Sequence, residues 1–248
     1  MNNLREVFQK YAAVVFFDTE TTGLDANTCQ IIELAAIRIE QGDRGNLRMA
    51  TSLDEFIRLP EGEKLPEQIA KLTGITDEML VEKGLDEEDV VLDFETLLDD
   101  TAGPVLLAAH NAQFDLLFTQ AMAGRYDRPC AELLAHADYL DTLTVYKDRR
   151  PYPHKLADAI TAYKLEDKVR NSHRALDDVE ALFEVCKAMD DERADLLEYV
   201  NIFGYNPKYG VGGCRIDGVT YWPQRFNKFM QSPSYTLPAL AKGGRKNE

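Results

Sequence analysis

Acids and imidazoles recur at three places in this chain, in patterns able to hold a hard cation and move a proton. The first is Asp18-Thr19-Glu20, directly after the apolar run Val14-Val15-Phe16-Phe17 and before Thr21-Thr22-Gly23-Leu24. In an extended strand, residues two apart project to the same side, so Asp18 and Glu20 point together. Two carboxylates at the end of an apolar strand repel each other and lose hydration, so they need a cation, a proton or a basic partner. The second place is His110-Asn111-Ala112-Gln113-Phe114-Asp115, and the third is His173-Arg174-Ala175-Leu176-Asp177-Asp178. In the third, periodicity alone does not choose between Asp177 and Asp178 as the inward-facing acid. Each cluster also has an ordinary explanation. A chain with 43 acids contains acid-x-acid pairs by chance, and Asp115 and Asp178 suit first helical turns through the helix dipole.

The elements that must position these residues follow from pattern and turn chemistry. Residues 12–17 read as a strand buried on both faces, because the run is continuously apolar, aromatic and β-branched. Strands are expected over 31–40, 55–59, 105–109 and 139–143, with 12–17, 31–40 and 55–59 spaced as antiparallel neighbours. Helices are expected over 2–11, 66–72, 76–83, 90–98, 112–125, 156–165 and 174–200, with Pro66 suited to a first turn. Strands interleaved with helices after an antiparallel opening predict a mixed α/β sheet.

Composition limits the partners. The chain has 248 residues, 28 Lys+Arg, 43 Asp+Glu and a formal charge of -15, which argues against coating duplex DNA or a membrane surface. A short strand held in one cleft remains compatible with that charge. The distribution is uneven: residues 1–198 carry a net of -20, whereas 199–248 carry +5 and nine of the 23 aromatics. We therefore expect a catalytic domain over 1–198 and a basic, aromatic-rich, irregular extension over 199–248. The extension reads first as a strap over the acidic body, then as a single-strand grip or a docking segment for a polymerase or another protein. Four dispersed cysteines without a CxxC pair predict neither disulfides nor a zinc site. With no apolar signal core and no spanning run, the expected location is cytoplasmic, away from membranes.

Taken together, Asp-x-Glu, His-Asn-x-x-Phe-Asp and His-x-x-x-x-Asp resemble the DEDDh family of 3′→5′ exonucleases over roughly residues 13–190. This is the DnaQ-like proofreading group, which includes the epsilon-type exonuclease of DNA polymerase III. The resemblance implies an RNase H-like fold, a mixed five-stranded sheet flanked by helices. It implies metal ligands Asp18, Glu20, Asp115 and Asp178, with Asp178 selected over Asp177 by its distance from His173, and two cations, Mg²⁺ or Mn²⁺. The same four acids and His173 would be the catalytic set, His173 acting as general base toward water. Thr21, Thr22, Gly23 and Leu24 would lie against the terminal nucleotide, with Asn111 and Phe114 bordering the cleft. The implied reaction releases nucleoside 5′-monophosphates from the 3′ end of single-stranded DNA. An RNA-trimming enzyme on the same scaffold is the nearer alternative, and a non-catalytic nucleic-acid-binding scaffold the more distant one.

Overall fold

The computed structural model describes residues 4–169 and 174–224. Strand β1 (Ala13–Thr21) lies at the centre of a five-stranded sheet. It pairs antiparallel with β2 (Ile31–Gln41), which pairs antiparallel with β3 (Leu47–Phe56). On its other side β1 pairs parallel with β4 (Val105–Ala109), and β4 pairs parallel with β5 (Asp138–Asp141). The spatial order is β3-β2-β1-β4-β5, the mixed sheet expected.

Alternation along β1 feeds two cores. Val14 and Phe16 pack on one face with α9 (Ala175–Glu192), while Ala13, Val15 and Phe17 pack on the other with α4 (Glu87–Leu98) and α5 (Ala112–Ala123). Helices α7 (Thr142–Arg149) and α8 (Leu156–Ala162) join the α9 layer, and α6 (Pro129–His136) joins the α5 layer. The short α1 (Arg5–Lys10) packs with the α9 layer, and α2 (Glu67–Thr73) and α3 (Asp77–Lys83) enclose a small satellite core with Ile32. Among the described residues no helix is long and apolar enough to cross a membrane, and the four cysteines are free.

Several expected boundaries move. Strand β1 continues past Phe17 to Thr21, because β2 pairs with it through Glu20↔Glu33 and Thr21↔Ile31. Strand β3 covers 47–56 instead of 55–59. It is an edge strand whose exposed Arg48, Thr51, Ser52 and Asp54 hide its pattern, with Leu53 alone fully buried. The last sheet strand stops at Asp141, whose side chain turns the chain directly into α7. The long helix expected over 174–200 ends at Glu192. There the buried guanidinium of Arg149 donates to the carbonyl of Met189 (2.6 Å) and to that of Arg193 (3.4 Å), and pairs with Asp195. A cation at a helix C-terminus satisfies carbonyls that lack intrahelical donors. Helices α6 and α7 were not expected, although Pro129 occupies a favourable N-terminal position in α6.

The stretch 203–223, expected to be irregular, contains a parallel pair, β6 (Ile202–Tyr205) with β7 (Thr220–Pro223). Tyr199 and Phe203 are buried in the two cores of the body. The main-chain N–H of Gly204 donates to Thr144 Oγ1 (2.7 Å), and Gln224 Nε2 donates to the Thr144 carbonyl (2.9 Å), fastening both short strands to α7.

Candidate active site

Strand β1 presents Asp18 and Glu20 on the α9 face, and Asp178 reaches them from the first turn of α9. Carboxylate oxygens of Asp18, Glu20 and Asp178 all lie within 4.8 Å of one another. Asp178 belongs to this triangle; the half-buried Asp177 does not. The α9 N-terminus is set in place by Glu33, the fully buried cross-strand neighbour of Glu20. Glu33 Oε1 accepts from Arg174 Nη2 (2.8 Å) and Nε (3.0 Å), and its Oε2 accepts from the Ala175 main-chain N–H (3.2 Å). A single carboxylate thus pairs a cation and caps a helix three residues before Asp178.

Asp115 approaches from the opposite side of β1. Its Oδ1 accepts from the Thr19 main-chain N–H (3.1 Å) and from Thr19 Oγ1 (2.8 Å), which holds this acid beside the strand that carries Asp18. Helix α5 is itself positioned by Asp141. One oxygen, Oδ1, accepts from the N–H groups of Asn111 (3.0 Å) and Ala112 (3.2 Å), at the start of α5, and from that of Leu143 (3.1 Å). The other accepts from Thr144 N–H (3.2 Å) and Oγ1 (2.5 Å) in α7. One buried carboxylate therefore caps two helices.

Crowding shows in the acid–base behaviour. Burial, followed by the charges of Asp115, Asp178, Glu20 and Glu33, raises the Asp18 carboxyl well above the usual range. Glu20 is pushed up to about 8, chiefly by burial and then by Glu33. Asp115 rises to about 7 through burial, against the lowering effect of its Thr19 hydrogen bonds. Arg174 gives Glu20 only weak relief, since its guanidinium is held by Glu33. Such a group of part-buried oxygen donors fits a hard divalent cation, whose charge would restore the ionised state.

The residues expected to meet substrate lie at the end of β1 and in the turn after it, and at the start of α5, the elements that carry Asp18, Glu20 and Asp115. Thr21 Oγ1 donates to the Gly23 carbonyl (2.6 Å), and Thr22 and Gln30 close the turn through Thr22 N–H to Gln30 O (2.9 Å) and Gln30 N–H to Thr22 Oγ1 (3.1 Å). A Cβ on Gly23 would stand 2.6 Å from Cys29 Sγ, so the turn is packed against its own base. Leu24 is 88% exposed at its tip. Asn111 takes a left-handed conformation (φ 79) immediately before α5, and Phe114 stacks obliquely on Phe118 at 4.9 Å. His173 lies outside the described residues; Arg174, its neighbour, is the residue clamped by Glu33.

Sequence reasoning missed Glu33, Asp141 and Thr19. Glu33 interrupts the apolar run Ile31-Ile32-Glu33-Leu34-Ala35-Ala36, and a charge at the middle of a buried strand was the available signal. Asp141-Thr142 after Tyr139-Leu140 was an equally available N-cap signal for a further helix. His110, singled out with its motif, is half-buried between Thr142 Oγ1 (3.0 Å) and the His154 carbonyl (3.0 Å), and desolvation lowers its pKa. These two contacts brace the end of β4 against α7 and the segment before α8.

Known proteins resemble this chain in sequence and in fold. The family model described as RNase T exonuclease matches residues 15–186. The PolC-type DNA polymerase III of Latilactobacillus sakei subsp. sakei (strain 23K) is 34% identical over 212 residues, 85% of this chain and 13% of the polymerase. The PolC-type polymerase of Staphylococcus haemolyticus (strain JCSC1435) is 40% identical over 110 residues, 44% of this chain and 7% of the polymerase. The chain therefore corresponds to a small part of these relatives. Among solved structures, E. coli exonuclease I in complex with a dA16 oligonucleotide superimposes with a TM-score of 0.63 at 18% identity, covering 76% of this chain and 42% of that one. Cell-death related nuclease 4 gives a TM-score of 0.59 at 16% identity, covering 74% and 65%. At those identities the likeness is one of fold.

Proposed function

The chain belongs to the RNase T exonuclease family, and from that membership we propose that it removes nucleotides from the 3′ end of single-stranded DNA, releasing nucleoside 5′-monophosphates. The observation that carries the reading is the triangle of Asp18, Glu20 and Asp178 oxygens within 4.8 Å, at the end of the central strand and beside Asp115. Asp18, Glu20 and Asp178 would hold one divalent cation, and Asp18 with Asp115 a second. When bound, Mg²⁺ or Mn²⁺ supplies the Lewis acidity that lowers the pKa of water and stabilises the departing 3′ oxygen. The protein's own part is to fix the carboxylates before substrate arrives, through Glu33 at α9 and through Thr19 and Asp141 at α5. His173 would accept the proton of the attacking water.

Leu24 and Phe114 offer apolar surface to a base, which favours recognition of any base over a particular sequence. DNA is favoured over RNA by the PolC-type DNA polymerases among the relatives and by the oligodeoxynucleotide bound to a structural neighbour. The same likeness supports a proofreading or repair role, alone or in association with a polymerase.

The test uses one oligonucleotide labelled at either end. With Mg²⁺ or Mn²⁺, a 3′ label is expected to appear at once as mononucleotide, and a 5′ label as a ladder of shortening products. Asp18→Ala should abolish both. Release of the 5′ label first, or activity that survives in Asp18→Ala, would overturn the proposal.

A further inference from the structure

We infer that residues 206–215, in the loop joining β6 to β7, are a second contact for the single strand, gripping nucleotides upstream of the one at the acids. This extends the exonuclease reading given above and rests on it. The loop is attached to the catalytic helix itself: Gln113 Nε2 donates to the carbonyls of Gly212 (2.5 Å) and Cys214 (2.7 Å). Gln113 lies between Asn111 and Phe114 in the first turn of α5, the turn that also carries Asp115. Gly213, at φ 67, sits where an added Cβ would be 3.4 Å from Leu117, one turn further along the helix. Ile216 then enters the core, and its N–H is taken by Tyr221 Oη (2.9 Å). The loop is thus a braced rim of the cleft.

Its outward side carries the chemistry of a single-strand platform. Tyr209 is 75% exposed, with Lys208 Nζ over its ring at 5.0 Å, and exposed Arg215 lies over Tyr221 at 4.8 Å. Among the described residues neither Lys208 nor Arg215 forms an ion pair with a carboxylate. Stacking faces and cations that are not neutralised are what sequence-tolerant binding of a single strand requires. The other groove beside the site, between the 22–30 turn and the C-terminal end of α5, is lined by Arg58 and Arg125 but also by Asp86, Glu87 and Glu63. There Arg58 is held by Asp86 (2.7 Å) and Arg125 by Glu87 (2.5 Å), leaving an acid excess. Past α5, by contrast, Lys208 and Arg215 offer phosphate a positive charge that no carboxylate among the described residues pairs with.

The experiment compares the full chain with the triple variant Lys208→Ala/Tyr209→Ala/Arg215→Ala, and with Lys208→Glu as a milder second variant should the triple one unfold. Binding of a fluorescent dT oligomer of about twelve nucleotides is measured by anisotropy in EDTA, and hydrolysis of a dinucleotide is measured with Mn²⁺. The triple variant should bind the oligomer at least about fivefold more weakly. The slope of log affinity against log salt should flatten by about 1.4, for two lost phosphate contacts. Dinucleotide hydrolysis should stay unchanged, because the loop lies beyond the reacting end. Equal oligomer affinity and salt slope in parent and variant would overturn the inference and leave the loop facing protein or solvent. If the parent hydrolyses nothing, the exonuclease proposal fails, while the anisotropy comparison still decides the role of the loop.

Discussion

Glu55, at the end of β3, shows how a single side chain can set pH dependence away from the reacting centre. Among the described residues its Oε2 is buried without a hydrogen-bond partner. Burial, with the charge and hydrogen bonding of Asp93, pushes its pKa up to about 7. Its ordinary value is 4.5, so between these values the folded state keeps a proton that the unfolded chain has lost. The unfolded state then binds fewer protons, and stability falls as pH rises from about 4.5 through 7. Glu55→Gln should therefore raise the thermal midpoint at pH 8 and leave it nearly unchanged at pH 4.5; an equal shift at both would refute this assignment. At this scale the site was largely legible. Asp18 and Glu20 announce themselves by ending an apolar run, and Asp115 by the motif around it. Glu33, Asp141 and Thr19 were not recognised, because Arg174 and Ala175, Asn111 and Ala112, and Asp115 become their partners only in the fold. Periodicity permits Asp177 or Asp178, the motif spacing from His173 selects Asp178, and the fold brings Asp178 to the oxygens of Asp18 and Glu20.

Between elements, Asp141 is the joint. It holds the N-terminus of α5, which carries Asp115, and that of α7, which receives both strands of the extension. Asp141→Ala removes two caps at once and should cost about 2–4 kcal/mol of stability by urea unfolding. In the folded variant kcat should fall, since the start of α5, which carries Asp115, loses its support. A stability loss below about 0.5 kcal/mol would show that the two helices are held by packing alone. Element boundaries were less legible than element existence. β1, β2, β4 and most helices come from strong hydrophobic periodicity, whereas β3 is a polar edge and α9 is stopped by Arg149 from another helix. Neither determinant is local in sequence.

For the molecule as a whole, the acid excess and the carboxylate triangle make stability depend on cations. A ligand that binds only the folded state stabilises it by mass action, about 2.7 kcal/mol at a concentration 100 times Kd. Added Mg²⁺ or Mn²⁺ should therefore raise the thermal midpoint beyond what NaCl of matched ionic strength does. Asp18→Ala should lose that excess while retaining the general salt effect. Equal responses in the two proteins would place the cation effect on the surface charge and not on the triangle.

Strand β1 runs through both cores, with alternate side chains assigned to opposite layers. Asp18 and Glu20 share a parity with Val14 and Phe16; Thr19, which fastens Asp115, shares that of Val15 and Phe17. The arrangement behaves like a two-track recording in which the hydrophobic residues carry the timing signal for the polar ones. A shift by one residue would send apolar groups to the wrong layer and exchange the acids for threonines at the same stroke. Chemical competence is thereby tied to correct assembly, and a chain that has paired this strand out of phase is silent as well as unstable.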